Sequence, residues 1–104
     1  MDYLQQGDVV IKPAALPALK TLEALKEGIL AYGEATGHAH RLHGEGFFLY
    51  EDKKTKRKHL RVVKDNVILR HEEHKAFAVP PGDYTIDIVR EYDHFSEEAR
   101  QVAD

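Results

Sequence analysis

Hydrophobic positions along this chain come in short bursts divided by glycine, proline and charge, which is the texture of a β protein. Asp8-Val9-Val10-Ile11-Lys12, closed by Pro13, predicts a first strand. Further strands are predicted at Ile29 to Glu34, at His38 to His43, and at Phe47 to Glu51. The last of these pairs with His59 to Lys64 across the polar run Asp52 to Lys58. In that partner strand Leu60 and Val62 alternate with His59, Arg61 and Val63, as a half-buried strand requires. Asp65-Asn66 signals a turn before Val67-Ile68-Leu69, and Ala76 to Val79 leads into the turn Pro80-Pro81-Gly82-Asp83. From Tyr84 to Tyr92 the alternation is clearest, with Tyr84, Ile86 and Ile88 on one face and Thr85, Asp87 and Val89 on the other.

Two segments depart from this texture. From Pro17 to Glu27, Leu19, Leu22 and Leu25 recur at helical spacing, with a proline at the start and Gly28 at the end, and predict one short amphipathic helix packed on the sheet. Ser96 predicts a cap for a last helical turn through Val102. Together these elements predict a mainly β fold: a small single-domain β-barrel or sandwich with one short helical insertion.

Composition narrows the chemistry. At 104 residues there is room for one domain, and 42% hydrophobic with 32% charged residues is a globular balance, not a disordered one. The absence of cysteine excludes disulfides, thiolate metal sites and cysteine nucleophiles. Fifteen Lys and Arg against eighteen Asp and Glu give a net charge of −3, so nucleic acid is not an expected partner. The basic run Lys53 to Lys58 reads as a solvated hairpin tip, its rival being a nucleic-acid contact helped by Phe47 and Tyr50. The longest apolar run, Phe47 to Tyr50, is far too short for a membrane span, and the polar start MDYLQQGD has no leader pattern. A cytoplasmic location is therefore expected. The lone serine, Ser96, has no nucleophile-elbow glycines around it, and no phosphate-binding glycine loop occurs.

Histidine is the unusual residue, with seven in the chain and six of them between positions 38 and 74. In Thr36-Gly37-His38-Ala39-His40 the two imidazoles are two apart and share a strand face, the arrangement a divalent transition metal needs. His71-Glu72-Glu73-His74 is a second cluster. Its histidines are three apart, so both can reach one ion only through a turn or bulge. The predicted ligand set is His38 and His40 with His74 or His71, and Glu45, Glu34, Glu72 or Glu73 as the carboxylate. The ion is zinc, iron, manganese or nickel, because imidazole ligation does not choose among them. His43, His59 and His94 read as surface or packing residues.

His38, His40 and Glu45 stand as His-x-His-x4-Glu, which resembles the first metal motif of the cupins, and Pro80-Pro81-Gly82 resembles the Pro-x-Gly of the second. That resemblance spans about positions 33 to 85 and implies a small double-stranded β-helix with a metal in its mouth. Here Thr85 stands in the place of the motif's last histidine, and Gly33 precedes His38 by one residue fewer than in the cupin spacing. A second resemblance is nearly chain-long. Gln6-Gly7-Asp8-Val9, Gly33 to His40, His71 to His74, Pro80 to Tyr84 and Arg90-Glu91-Tyr92 look like a set of small uncharacterised proteins encoded in bacterial and phage genomes. The resulting expectation is a metal-binding β protein, with a metal-dependent reaction on a small molecule as its catalytic version. The rival is a non-catalytic interaction or accessory protein of phage or mobile-element origin. A homo-oligomer is compatible with either.

Overall fold

The computed structural model describes residues 2–33 and 37–89. Among them are ten strands: β1 (Leu4–Gln6), β2 (Val9–Pro13), β3 (Leu22–Ala24), β4 (Ile29–Tyr32), β5 (Ala39–His43), β6 (Phe47–Asp52), β7 (Lys58–Val62), β8 (Ile68–His71), β9 (His74–Ala78) and β10 (Gly82–Ile88). They form two antiparallel sheets. One has six strands in the order β1-β2-β10-β7-β6-β3, the other four in the order β4-β5-β8-β9. The mainly β expectation holds, and the two sheets face each other across one core. No closed barrel forms among the described residues.

The core explains why these segments pair as they do. The six-stranded sheet contributes Val9, Ile11, Leu49, Leu60, Val62, Tyr84 and Ile86, and the four-stranded sheet contributes Leu30, Leu42 and Leu69. Val67 and Val79 close it from the connections on either side of the β8–β9 hairpin, held together by the Val79 amide donating to the Val67 carbonyl. In β10 the period-two pattern puts Tyr84 and Ile86 into this core with Ile88 packed at its margin. The buried Tyr84 hydroxyl donates to the Pro80 carbonyl at 2.6 Å, so the large ring is buried without leaving its polar end unpaired.

The predicted helix at Pro17 to Glu27 is replaced by a single 3₁₀ turn, Leu19–Thr21, followed by the strand β3. The leucine spacing of three suits a 3₁₀ turn as well as a helix, and eleven residues are too few for a helix to stand without a large packed face. The free edge of β6 offers backbone partners instead, with Leu22 opposite Asp52 and Ala24 opposite Tyr50. Leu22 alone is buried; Leu19 projects into solvent. The basic run is the β6–β7 hairpin tip, where Asp52 Oδ1 accepts from the amides of Lys54 and Thr55. Arg57 at its base engages Asp87 of β10. No helix among the described residues is long and apolar enough to cross a membrane. The predicted C-terminal helical turn, His94 and Glu34 lie outside the described residues.

Candidate metal centre

Three segments far apart in sequence meet at one end of the space between the sheets. β5 supplies His38, just before its first residue, and His40. The alternation that points Leu42 into the core also points His40 inward. β8 and β9 supply His71 and His74. Glu72 and Glu73 form a two-residue turn, so His71 and His74 stand directly opposite each other across the hairpin. This turn is what brings two histidines three apart onto one site. The third segment is Gln6-Gly7-Asp8, the connection between β1 and β2 in the other sheet.

The four imidazoles gather closely. Ring centroids are 4.3 Å apart for His40 and His71, 4.6 Å for His71 and His74, and 5.7 Å both for His40 with His74 and for His38 with His71. Room for the rings comes from glycine. A side chain at Gly33 would come within 2.9 Å of His71 Nε2, and one at Gly7 within 2.6 Å of His74 Nε2. Gly7 also has a φ of 59°, the left-handed region a side chain disfavours.

Each ring has defined partners. His40 is 2% exposed. Its Nδ1 lies 2.9 Å from Gln6 Oε1, and its Nε2 lies 3.4 Å from Asp8 Oδ1. Burial, and then the neighbouring His71, push its pKa down to about 4, so it is neutral at physiological pH. His71 Nδ1 accepts the Glu73 amide at 3.0 Å, which squares the hairpin turn. His38 Nδ1 stands 3.5 Å from Glu73 Oε2. Glu72 Oε1 accepts the Ala39 amide at 3.0 Å, tying the hairpin turn to the start of β5. That hydrogen bond, with a second from its own amide, holds the Glu72 carboxyl below the ordinary range, so it is an anion at neutral pH.

One ligand atom from each of His38, His71 and Glu72 lies within 4.8 Å of the others. The rings of all four predicted cluster histidines are neighbours, but among the described residues it is only His38 and His71, with Glu72, that bring donor atoms this close together; His40 and His74 stand outside that group. Glu45 is not brought in. β5 ends at His43, the chain turns through Gly44 and Gly46, and Glu45 sits on that turn, at the other end of β5 from His38. Its side chain is 82% exposed and pairs with Lys64 at 3.7 Å. Thr85, in the place of the second cupin motif's last histidine, lies in the six-stranded sheet against His59. Sequence reasoning missed Gln6 and Asp8 as partners of His40. Both stand in the Gln6-Gly7-Asp8-Val9 segment of the chain-long resemblance, and Asp8 otherwise reads as the start of a strand, neither of which says what faces His40.

Neither the curated proteins nor the solved structures compared with the chain gave a match. A family model does match, over residues 5–89, a span holding every segment of the site. Its description is "Domain of unknown function (DUF8820)", and the chain belongs to that family.

Proposed function

We propose that this protein binds a divalent transition metal through its histidine cluster, with His38, His71 and Glu72 as the ligands. The observation that supports the reading is the convergence of imidazoles from two strands and a hairpin, with a donor atom of each of these three residues within 4.8 Å of the others. Two imidazoles and one carboxylate suit zinc, iron, manganese or nickel, and leave coordination positions open for water or a substrate. An ion on His71 must displace the Glu73 amide from Nδ1, or take Nε2 and force the ring to the other tautomer. Either way one hydrogen bond of about 1 kcal/mol is lost. A bound zinc contributes about ten times that in structural sites.

A catalytic version of the site would use the ion to polarise a substrate oxygen or to activate water. Beside His71 and Glu72 runs an open groove of about 540 Å³ bordered by Arg41 and Arg70. These arginines stand directly opposite each other on β5 and β8, and neither forms an ion pair among the described residues. Like charges so placed repel each other, which favours an anionic group between them. A small anion fits between them, on the face of the sheet turned away from His40, with His71 and Glu72 at the end of the same groove.

The test is zinc binding by untagged protein, in wild type and in the double variant His38→Ala, His71→Ala, with His43→Ala as control. Wild type and control take up stoichiometric zinc, and the double variant loses at least one equivalent while keeping its β circular dichroism. Equal binding by wild type and double variant, or no binding at all, overturns the reading.

A further inference from the structure

The buried His40 has a definable tautomer. Gln6 Nε2 donates to two backbone carbonyls, Leu69 at 3.1 Å and Lys75 at 3.0 Å. The amide cannot be turned over without facing oxygen against two oxygens, so Gln6 Oε1 must face His40 Nδ1. At 2.9 Å that contact is a hydrogen bond only if Nδ1 carries the proton. A neutral ring then has its lone pair on Nε2, and Nε2 faces a carboxylate oxygen, Asp8 Oδ1, at 3.4 Å. Two acceptors this close repel, and a positive species shared by them would relieve the repulsion.

Distance separates the two candidates. A charge-assisted N–H···O bond brings its heavy atoms to about 2.7–2.9 Å, well inside what is observed. Two ligands on one tetrahedral ion, each bonded at about 2.1 Å, stand about 3.4 Å apart. The observed 3.4 Å matches the spacing of two ligands on a shared ion and exceeds that of a charge-assisted hydrogen bond. The partner on Nδ1 agrees: a metal-bound imidazole characteristically donates its other N–H to a fixed oxygen, and Gln6 is held in place from both carbonyls to receive it.

We propose that His40 Nε2 and Asp8 Oδ1 form a second divalent-cation position, of tetrahedral preference, beside the one held by His38, His71 and Glu72. Resting on the metal-binding reading above, it extends that reading from one ion to two. The ligand separation fits zinc. Asp8 is half exposed on its turn, so water fills the remaining coordination positions from the open side. His74 closes the other side, with Nε2 against Gly7 and its ring stacked parallel to that of His40. Gln6 is a positioning residue here: it touches no ion and fixes which nitrogen of His40 is free.

The experiment is a zinc titration of untagged full-length protein at pH 7.5, with stoichiometry read by calorimetry and by metal analysis after desalting. Wild type takes two equivalents. Asp8→Ala, a change at a turn that leaves the core untouched, takes one, and so does Asp8→Asn. His38→Ala also takes one and keeps the Asp8-dependent equivalent. A second readout does not depend on a variant. In nitrogen-15 spectra of His40, Nδ1 is protonated and Nε2 is not, and zinc shifts Nε2. One equivalent in wild type that survives Asp8→Ala overturns this proposal and leaves the first position standing. Loss of that single equivalent in Asp8→Ala but not in His38→Ala overturns the first and keeps this one. A His40 ring protonated on both nitrogens at pH 7.5, ion-paired with Asp8, also overturns it.

Discussion

His40 and His59 are both nearly inaccessible to solvent, one in each sheet, and the difference between them shows what a buried histidine is for. His59 sits on the face of the six-stranded sheet that alternation turns away from the core, between Tyr50 and Thr85. Its side-chain hydrogen-bond partner is the Thr85 hydroxyl at 3.4 Å, a long contact. His40 faces into the space between the sheets, with Gln6 locked on one nitrogen, Asp8 on the other and two further imidazoles around its ring. Burial lowers the pKa of both. For His59 the next cause is Arg57, a cation at the hairpin base; for His40 it is His71, a fellow member of the cluster. The first is a packed polar residue. The second belongs to a constructed polar network, and removing its supports should have much larger consequences.

The largest effect is expected from Gln6→Ala, which leaves the His40 Nδ1 hydrogen and the carbonyls of Leu69 and Lys75 without their partner. With two of these contacts buried and the one to Lys75 only partly so, about 1–3 kcal/mol for each buried group left unpaired gives a loss of roughly 2–6 kcal/mol in chemical denaturation. A loss below about 1 kcal/mol would mean that the network is no more demanding than the contact at His59.

Acid should discriminate next. The unfolded chain takes up a proton at His40 near pH 6.5, while the folded protein resists until about pH 4. Stability from this residue is therefore complete above pH 6.5 and falls as pH drops toward 4, by about 3 kcal/mol over the window. The groups facing the ring are His71, His74, Asp8 and Gln6, so a titration followed in wild type and in Asp8→Asn separates the aspartate's contribution. Since Asp8 favours the protonated ring, the asparagine variant should lose stability over a wider range. An unchanged pH profile would remove Asp8 from the network.

Gly7→Ala comes third. It puts a side chain at a φ of 59° and against the His74 ring, and should cost about 1–2 kcal/mol, with most of the cost being backbone strain, since His74 is exposed and can swing aside. The smallest effect is expected at the other histidine. Thr85→Val keeps the shape and removes only the long contact to His59, so its cost should stay below about 1 kcal/mol. A larger loss there would erase the contrast between the two sites.

Much of the fold is legible in the sequence where burial on one face imposes a period of two. β7 and β10 carry that pattern, which fixes the side chains that face the core but not that the two strands pair, with Tyr84 opposite Leu60. The short edge strands β1 and β3 carry none. β3 exists because β6 has a free edge, a fact of tertiary structure that the leucine spacing at Leu19, Leu22 and Leu25 cannot express. The site divides the same way. His38 and His40 sharing a face follows from strand geometry, and the possibility that a turn joins His71 to His74 follows from their spacing. That Gln6 and Asp8 would meet His40 depends on how two sheets stack, and no local pattern encodes it. Glu45 shows the converse: its spacing from His40 matches a motif, but the glycine turn after His43 carries it away to Lys64.

The central claim, that the histidine-lined end of the fold is a metal centre, is met most directly by diffraction from crystals of untagged protein grown with zinc, using data on both sides of the zinc absorption edge. An anomalous peak is expected bonded to His38, His71 and Glu72 at about 2.0–2.2 Å, with a second between His40 Nε2 and Asp8 Oδ1. Zinc present in the crystal with no anomalous density at this end of the molecule would contradict it.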